Sequence, residues 1–153
     1  MITLLVVYHS QSGNTKKMAE AVAKGAGEIE GVRVLLKKAR ETDAQDLLEC
    51  DGLILGSPEY FGYMAGAVKD LFDRTYETLR GKPRIFRKPY AVFISAGNDG
   101  QGALMHMERI CVGYQFKKVH PPIVARGPIN PEILTQCREL GKTVAAGCEA
   151  GIY

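Results

Sequence analysis

Three short stretches hold residues whose types and spacing suit the grip of a small, flat, phosphorylated molecule. The first is His9-Ser10-Gln11-Ser12-Gly13-Asn14-Thr15, which opens straight into a segment of helical period. Its hydroxyls at Ser10, Ser12 and Thr15, with the backbone amides around Gln11, Gly13 and Asn14, can surround a terminal phosphate. The positive end of the following helix adds favourable potential for a dianion. A plain polar turn with Asn14 or Thr15 as helix N-cap is the competing reading. The stretch lacks the GxxxxGK pattern of a nucleoside triphosphatase loop, and no acidic cluster stands beside it for phosphorelay.

The second stretch is Gly56-Ser57-Pro58-Glu59-Tyr60-Phe61-Gly62-Tyr63-Met64-Ala65-Gly66. A turn this apolar is normally avoided in water, so Tyr60, Phe61 and Met64 are expected to be exposed for contact with a flat ring or a second subunit. The third is Ser95-Ala96-Gly97-Asn98-Asp99-Gly100-Gln101-Gly102, with three glycines in eight residues. Glycine-rich backbone can approach a ligand closely and offer amides to a polar ring edge.

These stretches need elements to hold them together. Five β-branched or apolar runs, Thr3–Tyr8, Val32–Lys37, Gly52–Gly56, Tyr90–Ser95 and Lys118–Val124, alternate with segments of helical period. That alternation predicts a parallel sheet covered on both faces. The helical stripes are Met18, Val22, Ala26 and Ile29; then Val68, Leu71, Phe72, Thr75 and Leu79; then Ala103, Met107, Ile110, Cys111 and Tyr114. A last helix starts at Asn130-Pro131-Glu132, and a short one, capped by Thr42, fits the crossover Ala39–Cys50. Right-handed crossovers then favour an α/β three-layer sandwich with strand order 2-1-3-4-5 and a crevice between the first and third strands. All three stretches follow strands that end at that crevice.

On these residues the chain resembles the flavodoxin-like superfamily. Ser10 to Thr15 matches its S/T-x-S/T-G-x-T phosphate loop. The stretch from Gly56 to Gly66, followed by Lys69 and Asp73, is similar to G-T-P-x-x-F-G-x-M-A-G of the NAD(P)H:quinone oxidoreductases of the Trp-repressor-binding-protein type. The resemblance implies a flavin mononucleotide (FMN) cofactor, with its phosphate on Ser10, Gln11, Ser12, Gly13, Asn14 and Thr15. It places Pro58, Tyr60, Phe61 and Gly62 along the isoalloxazine, with Ser57 and Glu59 among the cofactor-binding residues, and Ser95, Ala96, Gly97, Asn98, Gly100 and Gly102 at its pyrimidine edge. It implies NADH or NADPH as electron donor and a quinone-like small acceptor. The alternative is an electron carrier with no substrate of its own. No side chain is assigned as catalytic, because the flavin carries the chemistry.

The rest of the sequence bounds these expectations. At 153 residues, 46% hydrophobic and 24% charged, the chain reads as one soluble domain over residues 1–153. The longest apolar run, Ile2 to Tyr8, is too short to span a bilayer and lacks the basic flank and small-residue cleavage site of a signal peptide, so a cytoplasmic protein is expected. The net charge is +3 and the basic residues are scattered apart from the stretch Lys82, Arg84, Arg87, Lys88 and the pairs Lys16–Lys17 and Lys37–Lys38, which reads as a solvated face and not as a nucleic-acid surface. Cys50, Cys111, Cys137 and Cys148 lack paired spacing and read as reduced, buried hydrophobes, not metal ligands. His9, His106 and His120 are isolated in sequence, and His9 reads as a partly buried structural residue. The apolar second stretch leads to the expectation of a homo-oligomer.

Overall fold

The computed structural model describes residues 1–153. The elements, in chain order, are β1 (Ile2–Tyr8), α1 (Asn14–Ala26), β2 (Val32–Lys38), a single 3-10 turn (Ala39–Glu41), α2 (Ala44–Glu49), β3 (Gly52–Tyr60), β4 (Tyr63–Met64), α3 (Gly66–Leu79), β5 (Pro89–Ala96), α4 (Gln101–Gly113), β6 (Lys117–Lys118), β7 (Ile123–Arg126) and α5 (Pro131–Ala150). The main sheet runs β2-β1-β3-β5-β6 in parallel, with β7 also paired to β5. This is the doubly wound fold that the alternation predicts, and the flavodoxin-like one that the resemblance implies.

Alternation along the strands divides the core in two. Leu4, Val6 and Tyr8 of β1 face α1 and α5 with Met18, Val22, Leu140 and Val144, while Leu5 and Val7 face α2, α3 and α4 with Leu47, Leu71, Phe72 and Met107. Successive strand side chains point to opposite faces, so one apolar strand supplies both layers. The four cysteines are buried and free, and burial pushes the Cys50 thiol up to about 11 and the Cys137 thiol up to about 12. No helix is long and apolar enough to cross a membrane.

Local physics moves several boundaries. The expected fifth strand is two, β6 and β7, because Pro121 and Pro122 between them have no N–H to continue a ladder. β3 runs on to Tyr60 and returns through β4 as an antiparallel hairpin, with Glu59 opposite Met64 and Tyr60 opposite Tyr63. The cap of α2 is Asp43, not Thr42. The Asp43 carboxylate accepts from the Asp46 N–H at 2.9 Å, and the Asp46 carboxylate accepts from the Asp43 N–H at 3.0 Å. Thr42 is buried and donates its hydroxyl to the Lys38 carbonyl at 2.8 Å.

Lys88 closes the other end of α2. Only 4% exposed, it donates to the carbonyls of Leu47, Leu48 and Cys50. Burial holds its pKa below the usual lysine range. Cations are favoured where a helix leaves carbonyls without partners. Lys88→Met keeps the stem's packing but orphans those acceptors, each costing about 1–3 kcal/mol when buried. Urea melts are expected to show a loss of about 2–4 kcal/mol for the variant; a loss under half a kilocalorie would mean that water replaces the ammonium there.

Candidate functional site

The carboxyl ends of β1, β3 and β5 lie side by side, with Tyr8 opposite Gly56 and Pro58 opposite Ser95. The turns after them therefore meet, as a topological switch point requires.

The first turn ends in Gly13, which caps α1 at φ 105°, a left-handed conformation natural to glycine. The Gly13 N–H donates to the Ser10 hydroxyl at 3.2 Å, which curls the turn. Asp43 caps α2 and Asn130 caps α5, each with an acidic residue in the first turn, whereas α1 has neither a side-chain cap nor an acid there. The first amides of a helix have no partner within it. α1 thus presents an uncompensated positive end, which is what a phosphate needs.

One crevice of about 200 Å³ gathers parts of all three stretches: Ser12 and Asn14 from the first, Pro58, Glu59 and Tyr60 from the second, Ser95, Ala96 and Gly97 from the third. Its volume falls below the roughly 300–1,000 Å³ of enclosing ligand pockets, so a ring held here keeps one side open. Thr15, only 1% exposed, shares a hydrogen bond of 2.7 Å with the Ser95 hydroxyl and ties the first turn to the third. Gly127, which sequence reasoning missed, completes the wall, its N–H donating to the Ala96 carbonyl at 2.8 Å.

Several expected cofactor contacts have other work. Ser57 is fully buried; its hydroxyl donates to the Pro58 carbonyl and accepts from the Ala65 N–H, which fixes the start of α3. The two carboxylate oxygens of Glu59 accept from the Gly100 and Ala103 N–H groups, both at 3.1 Å, so Glu59 caps α4 from the neighbouring strand. Gly102 backs onto the Gly62 carbonyl, leaving no room for a Cβ, while Gly97 is open and Asn98 is exposed beyond it.

Nor is the apolar stretch uniformly exposed. Met64 is 2% exposed in the core and Tyr60 is half-buried against it, because pairing with β4 folds both inward. Phe61 alone stands free, fully exposed at the hairpin tip with φ 52°. A non-glycine residue held left-handed is uncommon, and such positions collect at functional sites.

His9 follows β1 and lies outside the crevice lining, edge-on to Tyr60 with ring centroids 6.2 Å apart. Burial first, and then the charge of Arg40, holds its pKa below the ordinary histidine value, so it is neutral near pH 7. It is half-buried, as expected.

A model of the NADPH-dependent FMN reductases matches residues 2–128. The chain belongs to that family. Its cofactor is FMN, and the open helix end beside a shallow crevice fits a phosphate with a partly exposed ring. Similar proteins of this flavodoxin-like group include a flavodoxin of Aquifex aeolicus, 35% identical over 93% of this chain and 84% of its own length. An NAD(P)H dehydrogenase (quinone) of Acidithiobacillus ferrooxidans is 32% identical over 67% of this chain, which spans only 60% of that protein. Among solved structures, a flavodoxin from the domain Archaea superposes with a TM-score of 0.83 at 25% identity, covering 97% of this chain and 99% of that one.

Proposed function

We propose that this FMN reductase family member is a cytoplasmic NAD(P)H-dependent oxidoreductase that delivers two electrons to a quinone-like acceptor. Bound FMN would supply the redox chemistry, a two-electron transfer from nicotinamide to acceptor. Ser10, Ser12, Asn14 and Thr15, with the amides of Gln11 and Gly13, hold its phosphate. Pro58, Tyr60, Phe61 and Gly62 border the ring, and the backbone of Ser95–Gly97 meets its polar edge. Ser57, Glu59, Gly100 and Gly102 position those walls through the contacts described above.

The observation that carries the reading is the third turn: the crevice is lined there by Ala96 and Gly97, with no side chain large enough to cover a ring. A face left open admits the nicotinamide and then the acceptor in turn. The exposed Phe61 is the natural place for a second copy of the chain to close the slot, which leads us to a homo-oligomer.

Anaerobic titration with NADPH and NADH, followed at the flavin absorption band, tests the activity. Bleaching within seconds and recovery on adding a quinone are expected. A flavin that neither nucleotide reduces would overturn the enzyme reading in favour of an electron carrier, the alternative that the 35% identical flavodoxin keeps open. Light scattering should give at least twice 16.8 kDa; a monomer that still turns over would remove the shared slot.

A further inference from the structure

A groove of about 400 Å³ opens between α3 and α4 and shares no residue with the crevice. Phe72, Tyr76, Ile110 and Tyr114 floor it. The Tyr114 hydroxyl is spent inside the core, donating to the Phe72 carbonyl at 2.6 Å and lying 2.9 Å from the Thr75 hydroxyl. The floor therefore suits an apolar occupant. The rim carries one carboxylate in excess: Asp73 shares its charge with Lys69 at 2.7 Å, while Glu77 meets only Arg80, at 3.6 Å between two exposed side chains, a contact of little strength.

The loop after α3 carries the complement of that groove. Phe86 is 58% exposed and takes no part in lining it. Ile85 before it is buried in the core, and Arg87 after it is held left-handed at φ 60°, its N–H donating to the Gln115 carbonyl at 2.7 Å. The ring thus stands outward on a pinned backbone, and little freedom remains to be lost when it is covered. Of the basic stretch Lys82, Arg84, Arg87, Lys88, Arg84 is turned to Asp51 and to the carbonyls of Leu48 and Glu49, and Lys88 is buried. Lys82 and Arg87 make no ion pair and flank Phe86 as free cations.

Loop and groove are neighbours on one surface. The loop leaves the end of α3, where the Arg80 N–H donates to the Tyr76 carbonyl at 2.9 Å, and it is tied at Arg87 to Gln115, just past the end of α4. It is therefore anchored to both helices that form the groove. Two complementary patches side by side satisfy each other in pairs across a twofold axis, the loop of each copy meeting the groove of the other.

We propose that this chain dimerises through the α3–α4 groove, with Phe86 of each copy seated in the groove of the other and Lys82 and Arg87 beside Asp73 and Glu77. The loop leads into the amino end of β5, whereas the crevice lies at the carboxyl ends of the strands, so the pairing leaves both crevices and Phe61 free. It does not depend on the oxidoreductase reading and is distinct from a contact at Phe61; a protein that makes both contacts is a tetramer.

Sedimentation equilibrium of the flavin-loaded protein at tens of micromolar tests it without turnover. The unaltered protein is expected at twice 16.8 kDa or more. Phe86→Asp should weaken the pairing about a hundredfold or more, because two aromatic rings per dimer lose their cover. Gly113→Arg should do the same from the other side: Gly113 lines the groove, nothing lies within 4 Å of a Cβ there, and the new side chain fills the groove and repels the basic loop. Both positions are exposed, so the circular dichroism and FMN content of the variants should match the parent. Mixing the two variants is the decisive arm. One of the two loop-in-groove contacts is then intact, and mixed dimers should form that neither variant forms alone; a folding defect would not be cured by mixing. A monomeric unaltered protein would overturn the proposal and leave the groove to a different chain. So would an unchanged mass for either variant, or a mixture that stays monomeric. Phe61→Asp should leave the pairs intact; its dissociation to monomers would place the dimer contact at Phe61 and overturn the groove.

Discussion

Ser12→Asp is expected to abolish FMN binding at micromolar flavin while leaving the protein folded. Ser12 is exposed on the turn that faces the crevice, so the substitution meets no packing barrier. A carboxylate about 4 Å from a phosphate charge, at the effective dielectric of a protein surface, costs about 4 kcal/mol per charge pair. That corresponds to roughly a thousandfold loss of affinity. Stability should move the other way, because an acid just before an uncapped helix complements its positive end by about 0.3–1 kcal/mol. Riboflavin, which lacks the phosphate, should bind the variant as it binds the unaltered protein. Fluorescence titration with both flavins, together with a thermal melt, checks all three expectations. Thr15→Val is the milder companion, expected to weaken FMN by about tenfold to a hundredfold through one lost charge-assisted hydrogen bond. Equal losses for riboflavin and FMN in either variant would show that the turn acts through the fold and not on the phosphate.

Gly102→Ala and Gly113→Ala, in the same helix, are expected to have opposite signs. Helix propensity alone favours alanine over glycine at both by up to about 1 kcal/mol. At Gly113, within the last turn of α4, nothing lies within 4 Å of a new Cβ, so the variant should be stabilised by about 0.5–1 kcal/mol. At Gly102 the new methyl would run into the Gly62 carbonyl, a backbone atom that cannot swing aside. The hairpin tip and the first turn of α4 must separate, and overpacking of this kind costs about 1–3 kcal/mol or more. That separation also pulls the Gly100 and Ala103 N–H groups from the Glu59 carboxylate. FMN affinity should therefore fall together with stability at Gly102 and stay unchanged at Gly113. Denaturant melts and flavin titration of the two variants decide it; a Gly102→Ala protein as stable as the parent would mean that the hairpin and α4 are not rigidly joined.

The layers of this fold were legible because they are local. Each strand is a run of apolar residues and each long helix a stripe of period near 3.6, both set by neighbours in the chain. The Asn130-Pro131 start of α5 was legible for the same reason, and Asn130 accepts from the Ile133 N–H as such a cap should. The turn from Ser10 to Thr15 was legible as a strand-to-helix turn, and Gly13 stands there in a left-handed conformation before a helix with no side-chain cap.

What the sequence left open depended on pairing between distant segments. Met64 read as exposed because an apolar turn offers no local sign of the β4 pairing that folds it inward. Ser57 and Glu59 read only as cofactor-binding residues, because nothing beside them in the chain reveals the amides of Ala65, Gly100 and Ala103 that their side chains accept from. Lys16, Lys38 and Arg40 are exposed, as a solvated face requires, but their convergence around one hollow follows from the parallel register of β1 and β2 and from no spacing along the chain. The sequence by itself determined which surfaces must be buried and which turn could hold a phosphate, because periodicity and composition act on neighbouring residues. Tertiary structure alone decided which polar groups are spent on one another and which are left for a ligand, because a hydrogen bond or a charge is satisfied by whatever lies nearest in space.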